Sequence, residues 1–348
     1  MKIDQIDKNF KVDAVIEKEG LCFYDPREKP FEIFGIFYED GRFRRLPEAV
    51  AKATNEGVLG LHANTAGGRL RFRTDSLKFA ISCRLDHIMK AEHMALCGTA
   101  GFDLYVDGLY KRTFRPPYNV ENGYESLVEL KEERKMREIL IHFPLYSDVL
   151  KLSVGLEEGA KIEGPTPYRE GAPLVYYGSS ITQGGCASRS GNAYENILSR
   201  RLDVDHINLG FSGSAKGEQA TTDYINNLEM RAFIMDYDHN APNPEHLEAT
   251  HEKMFLAIRE RHPNLPILLL SRPKWLLEGD DDQRLAIVRK TYENAKARGD
   301  QKVWFISGQE LMALAKEEGT VDNCHPTDLG FFSMAGAMED TIKEMIGE

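Results

Sequence analysis

The sequence predicts an α/β fold: a doubly wound, five-stranded parallel sheet of the flavodoxin-like type, preceded by an antiparallel, jelly-roll-like β-sandwich. The first half of the 348-residue chain is a series of short β-type runs separated by glycine turns. The second half repeats a strand, a loop and a helix. The stretch 157–173 between them is rich in Gly, Pro and Glu, which is typical of a linker. We therefore predict a sandwich domain over residues 1–165 and an α/β domain over residues 173–348.

The β-type runs of the first half define the predicted sandwich. They cover residues 31–38, 58–62, 69–73, 79–85, 102–106, 139–143 and 150–156. Several alternate apolar with polar residues, which is the pattern of a half-buried strand. Asp107-Gly108 follows one of these runs and is a strong signal for a two-residue hairpin turn. Because no long helical pattern separates the runs, an antiparallel sandwich is expected.

Strand and helix patterns alternate throughout the second half. Predicted strands cover residues 174–177, 206–209, 232–235, 267–270 and 303–306, and predicted helices include 193–202, 246–261 and 283–298. Strands that alternate with helices form parallel sheets with right-handed crossovers.

Composition excludes several classes of partner. The formal net charge is -11 and no basic stripe is present, so a nucleic-acid partner is not expected. The N-terminus lacks the apolar core of a signal peptide, and no later stretch approaches the roughly 20 apolar residues that span a bilayer. We therefore expect a soluble cytoplasmic protein without a membrane partner, whose oligomeric state the sequence leaves open.

Cysteine and histidine spacing predicts neither a disulfide framework nor a metal site. The chain has five cysteines, an odd number without CxxC spacing, and Cys186 and Cys324 are interpreted as packing residues. The histidines that could bind a metal have irregular spacing and form no recognised ligand motif, so they predict no metal site: His87, His93, His239 and His246.

A small-residue turn after the first predicted strand of the second half contains a candidate nucleophile. The turn reads Gly178-Ser179-Ser180-Ile181-Thr182, and Gly184-Gly185 follows it. In open α/β folds the carboxyl ends of the strands form the reactive edge. Ser180 is therefore the candidate nucleophile, and the alternative is a serine- and glycine-rich loop without chemistry.

A serine nucleophile needs a base that a carboxylate orients. Asp322 and His325 lie three residues apart in a polar loop near the C-terminus, just before an apolar helical pattern that Thr327 could cap. This spacing allows the carboxylate to hold the imidazole within one loop. The alternative is an ordinary surface turn.

Two further strand ends offer donors for an oxyanion. Gly213 lies in the loop after residues 206–209, where a glycine can present an unobstructed N–H. Asn240 lies after residues 232–235 and offers a side-chain amide, although it could simply form the turn before Pro242. Three consecutive strand ends and the last loop thus supply a nucleophile, two donors and a base in order.

The second half resembles the SGNH hydrolases, the GDSL-type esterase and lipase superfamily. The motifs GSSIT, NLGFSG, DYDHN and DNCHP match its four blocks in order. The resemblance assigns Ser180, Asp322 and His325 to catalysis, and Ser180, Gly213 and Asn240 to the oxyanion hole. Ser179 replaces the usual Asp of the first block. Asp238 stands where the third block usually has Gly, so Asn243 is a rival of Asn240.

The resemblance implies a carboxylic ester hydrolase that uses neither a metal nor an organic cofactor. The expected substrate is a small-molecule ester, with a short acyl group such as acetyl on a sugar or similar polar molecule. Some sandwich-bearing members of the superfamily act on carbohydrates. Two alternatives remain: an acyltransferase with the same acyl-enzyme chemistry, and a carbohydrate-binding protein with a vestigial triad.

Overall fold

The computed structural model describes residues 14–169 and 171–347, together with residues 6 and 12. Its first half contains mainly antiparallel strands. The strands are β1 Leu21–Tyr24, β2 Glu32–Phe34, β3 Phe37–Glu39, β4 Arg42–Arg44, β5 Arg69–Thr74, β6 Lys78–Asp86, β7 Phe102–Val106, β8 Leu109–Phe114, β9 Gly123–Glu129, β10 Arg137–His142, β11 Asp148–Glu157 and β12 Ile162–Glu163.

Two antiparallel sheets share one apolar core in this half. One has the order β1-β11-β6-β9, and the other has the order β12-β5-β10-β7-β8 with β2 also paired to β5. Buried residues such as Phe72, Phe79 and Ile141 belong to their common core. At the β7–β8 hairpin, Asp107 and Gly108 have φ values of 49° and 77°, the positive values that a type I′ turn requires. The predicted antiparallel β domain is confirmed.

The second half is a five-stranded parallel sheet with helices on both faces. The strands are β13 Leu174–Gly178, β14 His206–Gly210, β15 Ala232–Asp236, β16 Ile267–Leu270 and β17 Val303–Ile306, in the order β14-β13-β15-β16-β17. The helices are Ser180–Gln183, Tyr194–Leu202, Gln219–Ile225, Pro244–Arg261, Asp281–Ala297, Gly308–Leu311 and Asp328–Ile346. This is the predicted flavodoxin-like order. The strand order reverses direction beside β13. The residues after β13 therefore lie at the topological switch point, where open α/β sheets bind their ligands.

The prediction of a strand at residues 58–62 is wrong. The chain forms helices over Glu48–Thr54 and Glu56–Leu61, and a third short helix over Leu96–Ala100. Asn55 begins the second helix by accepting a 2.9 Å hydrogen bond from the Val58 N–H. Val58 and Ala51 are fully buried in the core that covers one face of the parallel sheet. Burial against another part of the chain therefore selects a helix here, which a short apolar run alone does not reveal.

Buried arginines join the two halves. Arg45 is 1% exposed and donates hydrogen bonds to the carbonyl of Gly210 at 2.6 Å and to the side-chain oxygen of Asn208 at 3.2 Å. Arg69 is fully buried and donates to the carbonyl of His206 at 2.8 Å. These contacts fix the amino-terminal half against β14. Within the described residues, no helix combines the length and apolar character needed to cross a membrane.

Candidate active site

Ser180 begins a short helix directly after β13. Gly178 must be glycine there, because a Cβ would approach the Thr182 hydroxyl to 2.1 Å and the Asp236 carbonyl to 2.5 Å. Ser179 caps the helix by accepting a 3.1 Å hydrogen bond from the Ile181 N–H. Ser179 therefore has a structural role at the position where the resemblance expects Asp. The turn leaves Ser180 at the carboxyl edge of the sheet, 7% exposed.

The structure brings Ser180, His325 and Asp322 together from opposite ends of the second half. The Ser180 Oγ lies 3.0 Å from the His325 Nε2, and the His325 Nδ1 lies 2.7 Å from the Asp322 Oδ2. The other carboxylate oxygen of Asp322 accepts the His325 backbone N–H at 2.7 Å. Thr327 occupies the expected cap position, but its hydroxyl donates to the Gly319 carbonyl at 3.3 Å and does not cap the helix.

The charges around His325 favour its protonated form. A hydrogen bond with the Cys324 thiol and the neighbouring Asp322 carboxylate raise the pKa of His325 to about 9, against the opposing effect of burial. Burial alone would raise the pKa of Asp322, but the hydrogen bonds from His325 hold that pKa below its usual value. Asp322 therefore stays ionised and fixes the orientation of the imidazole.

Candidate oxyanion donors lie on the loops that follow β14 and β15. Gly213 has a φ of 64°, and a Cβ there would meet no atom within 4 Å, so the glycine is required by its backbone conformation and not by close packing. The Asn240 amide donates one hydrogen bond, at 2.8 Å, to the carbonyl of Phe211 in the same loop as Gly213. An amide nitrogen carries a second hydrogen. The N–H groups of Ser180 and Gly213 have no acceptor within the part of the chain that the structure describes.

The unusual Asp238 holds the turn that carries Asn240. Its carboxylate accepts the Arg272 N–H at 2.9 Å, and Arg284 donates to the Asp238 carbonyl at 3.1 Å. Asn243, the rival of Asn240, instead begins the helix Pro244–Arg261 by accepting the His246 N–H at 2.8 Å. Asn240 is therefore the asparagine that contacts the Gly213 loop.

Residues of the first half support the loops around Ser180, and no local pattern in the sequence indicates them. The Tyr146 hydroxyl donates to the Ser180 carbonyl at 3.1 Å. Asn64 accepts a 3.0 Å hydrogen bond from the side chain of Gln183, which accepts the Ser212 N–H at 3.1 Å. These partners are distant in sequence, and their residue types alone do not predict such contacts.

The interpretation of Cys186 and Cys324 as packing residues is incomplete. The Cys186 sulfur and one donor atom each of His93 and His325 lie within 4.8 Å of one another. The Cys324 sulfur forms a second such group with one donor atom each of Asp322 and His325. The Cys324 sulfur is also 3.8 Å from the Nδ1 of His239. The position of Cys324 directly before His325 was a signal available in the sequence.

An α/β fold with a serine, a histidine and a carboxylate at the sheet edge is typical of serine hydrolases. Residues 171–343 match the model of the GDSL-like lipase/acylhydrolase family, and residues 21–162 match the N-terminus of Esterase_SGNH_hydro-type proteins. The chain belongs to this family of SGNH hydrolases and is an ester-hydrolysing enzyme.

Solved structures share the whole arrangement of both halves. A protein from Bacteroides ovatus described as a GDSL-like lipase has a TM-score of 0.84 at 24% identity, covering 94% of this chain and 98% of its own. The salicylyl-acyltransferase SsfX3 from a tetracycline biosynthetic pathway has a TM-score of 0.77 at 22% identity, covering 94% of this chain and 98% of its own. The acetyl xylan esterase Est2A from Butyrivibrio proteoclasticus has a TM-score of 0.62 at 13% identity, covering 94% of this chain and 99% of its own. No curated protein matches the chain.

Proposed function

We propose that this protein is a serine esterase that removes a short acyl group, acetyl, from a carbohydrate or a similar polar substrate. One observation carries the proposal: the hydroxyl of Ser180, the imidazole of His325 and the carboxylate of Asp322 form a continuous hydrogen-bonded chain. This chain lies at the sheet edge where α/β enzymes bind their substrates.

In the proposed reaction, His325 accepts the hydroxyl proton as Ser180 attacks the ester carbonyl. The N–H groups of Ser180 and Gly213 and the amide of Asn240 stabilise the oxyanion of the tetrahedral intermediate. His325 then protonates the leaving alcohol, and an acyl-serine ester remains. Water, deprotonated by His325, attacks this ester and releases the acid and the free enzyme. The reaction needs no metal or organic cofactor.

The surroundings of the triad favour a polar substrate. The Asp322 and His325 side chains are 39% and 23% exposed, so a substrate at Ser180 would contact polar groups and water. The fold shared with an acetyl xylan esterase gives independent support for an acylated sugar. A lipase would instead need an extended apolar surface for a long acyl chain.

A panel of chromogenic acyl esters, from acetyl to octanoyl, tests this proposal with the wild type and Ser180→Ala together. We expect a steep preference for acetyl and a loss of about 1000-fold or more in the variant. Activity of Ser180→Ala within a few-fold of wild type would exclude this nucleophile. Rates that rise with chain length would indicate a lipase.

An acyltransferase is the second candidate, because a salicylyl-acyltransferase shares the fold over 94% of this chain. The fate of the acyl-enzyme distinguishes the two functions, since either water or an alcohol can accept the acyl group. Product analysis with and without a sugar alcohol acceptor would show which one prevails. A binding protein with a vestigial triad would form no Ser180 adduct with an organophosphonate.

A further inference from the structure

Two side chains outside the proposed reaction lie beside His325. One donor atom each from His93, Cys186 and His325 lie within 4.8 Å of one another. The ring centres of His93 and His325 are 5.6 Å apart. These residues come from three separate segments: the loop before the helix Leu96–Ala100, the loop after the helix Ser180–Gln183, and the last loop before Asp328–Ile346. Two imidazoles and a thiol from separate segments therefore come together around His325.

This set of donors suits a zinc ion. Zn²⁺ binds thiolate and imidazole in tetrahedral sites, with bonds of about 2.3 Å to sulfur and about 2.0 Å to nitrogen. Donors at these bond lengths stand about 3.3 to 3.8 Å apart around a tetrahedral ion. Since the three donor atoms lie within 4.8 Å of one another, their separations exceed that spacing by at most about 1.5 Å. His93 is exposed, so rotation of its side chain can close such a difference.

The neighbours of His325 prepare one of its nitrogens for a metal. Its Nδ1 pairs with the Asp322 carboxylate at 2.7 Å, which leaves the lone pair of Nε2 directed away from Asp322. Histidines that bind zinc commonly donate their other ring N–H to a carboxylate in this way. The Nε2 is also the atom that faces the Ser180 hydroxyl at 3.0 Å. A metal on Nε2 and proton transfer from Ser180 are therefore mutually exclusive.

We propose that His93, Cys186 and His325 form a Zn²⁺ site, and that zinc bound there blocks ester hydrolysis. On binding, the Cys186 thiol releases its proton to solvent and its thiolate joins the two imidazole nitrogens, while water completes the tetrahedron. The inhibition rests on the proposed function, since it requires His325 to be the catalytic base. The binding itself does not. Mg²⁺ and Ca²⁺ prefer oxygen ligands and are not expected to occupy the site.

Metal binding is measured on the full chain, without substrate and in a non-chelating reductant. Calorimetry with Zn²⁺ should give one equivalent per chain, and Co²⁺ should give a thiolate charge-transfer band in the near ultraviolet. His93→Ala and Cys186→Ser should each weaken zinc binding by at least tenfold, and Cys186→Ser should abolish the cobalt band. Two matched controls, His87→Ala near His93 and Cys22→Ser in β1, should bind zinc as wild type does.

Inhibition is measured as the rate of acetyl-ester hydrolysis with Zn²⁺, relative to the zinc-free rate of the same variant. Wild type should lose activity and regain it with EDTA, whereas His93→Ala and Cys186→Ser should require at least tenfold more zinc. The inference is overturned if wild type binds no zinc, or if neither substitution weakens binding. Zinc binding that follows the expected pattern in a protein that hydrolyses no ester supports the site and counts against the proposed function instead.

Discussion

Asn64 of the sandwich half accepts a 3.0 Å hydrogen bond from the side chain of Gln183, three residues after Ser180. Gln183 is fully buried and also accepts the N–H of Ser212 at 3.1 Å. Ser212 precedes Gly213, whose N–H is a proposed oxyanion donor. The amino-terminal half therefore holds the loop that would stabilise the transition state.

Breaking this link should slow the chemical step. In Gln183→Ala the Ser212 N–H loses its acceptor, and the Gly213 loop is less well positioned. We expect kcat to fall about tenfold, equivalent to about 1.4 kcal/mol, with little change in KM. Steady-state kinetics on an acetyl ester would measure both. The exposed Gln309→Ala is the control, and an unchanged kcat in a folded Gln183→Ala protein would contradict the positioning role.

Removal of the Asp322 charge should impair the base. In Asp322→Asn the side chain no longer stabilises the imidazolium or fixes its tautomer, and kcat should drop by about 100-fold to 10,000-fold. The exposed carboxylate Asp340 provides Asp340→Asn as the matched control. A loss of less than about threefold in Asp322→Asn would be inconsistent with a triad.

The pH dependence of hydrolysis should report the titration of His325. Protonated His325 cannot accept the Ser180 proton, so activity is lost as the pH falls below its pKa. Since that pKa is raised to about 9, kcat/KM should increase from neutral pH and level off above about pH 9. EDTA in every buffer keeps metal ions out of the measurement.

Cys324→Ala tests the cause of this raised pKa. The hydrogen bond with the Cys324 thiol is the largest contribution, so its removal should move the acidic limb of the profile to lower pH. Cys97→Ala, at a half-buried cysteine in the first half, should leave the limb in place. If the acidic limb of the Cys324→Ala profile lies at the same pH as in wild type, the raised pKa of His325 would be assigned to Asp322 alone.

The two asparagines after β15 should respond differently to substitution. Asn240→Ala removes a proposed oxyanion donor and should reduce kcat by about 100-fold. Asn243→Ala removes a helix cap and should instead lower the free energy of unfolding by about 1 kcal/mol, with kcat nearly unchanged. Kinetics and urea unfolding of both variants would separate these effects. The reverse result would move the donor role to Asn243.

Arg45 should be essential for stability. Its guanidinium is buried, and it bonds the carbonyls of Asn64 at 2.6 Å, Leu61 at 3.0 Å and Gly210 at 2.6 Å. Arg45→Met removes the guanidinium that bonds these buried carbonyls, of which Leu61 keeps only the Asn64 N–H at 3.0 Å, and should lower the free energy of unfolding by about 3 kcal/mol or more. Urea denaturation measures this change. Arg298→Ala, at an exposed ion pair, should cost less than about 1 kcal/mol.

Local patterns were sufficient to predict most of the fold. Alternating apolar residues and the Asp107-Gly108 turn indicated the sandwich, and strand–helix alternation indicated the parallel sheet. The helix Glu56–Leu61 was missed because Val58 is buried against the other half of the chain, a contact that no local pattern encodes. Tertiary packing here decides between two elements that short apolar runs fit equally well.

For the candidate site, the sequence predicted the residues that follow strand ends. Ser180, Gly213 and Asn240 could be placed because parallel strands end at one edge of the sheet. Residues such as Tyr146 and His93 reach this edge from the sandwich, across loops with no periodic signal. Their contribution depends on how the two halves pack, which the sequence alone did not specify.

The hydrogen bond from the Tyr146 hydroxyl to the Ser180 carbonyl has a practical consequence for truncation of this protein. A fragment that starts at the linker would contain the whole Ser-His-Asp set, yet the Ser180 turn would lose the hydrogen bond from Tyr146. In the same fragment β14 would lose its hydrogen bonds from Arg45 and Arg69. Such a fragment would not be a minimal enzyme. Grafting this reactive edge onto another scaffold would require transplanting both halves as one unit.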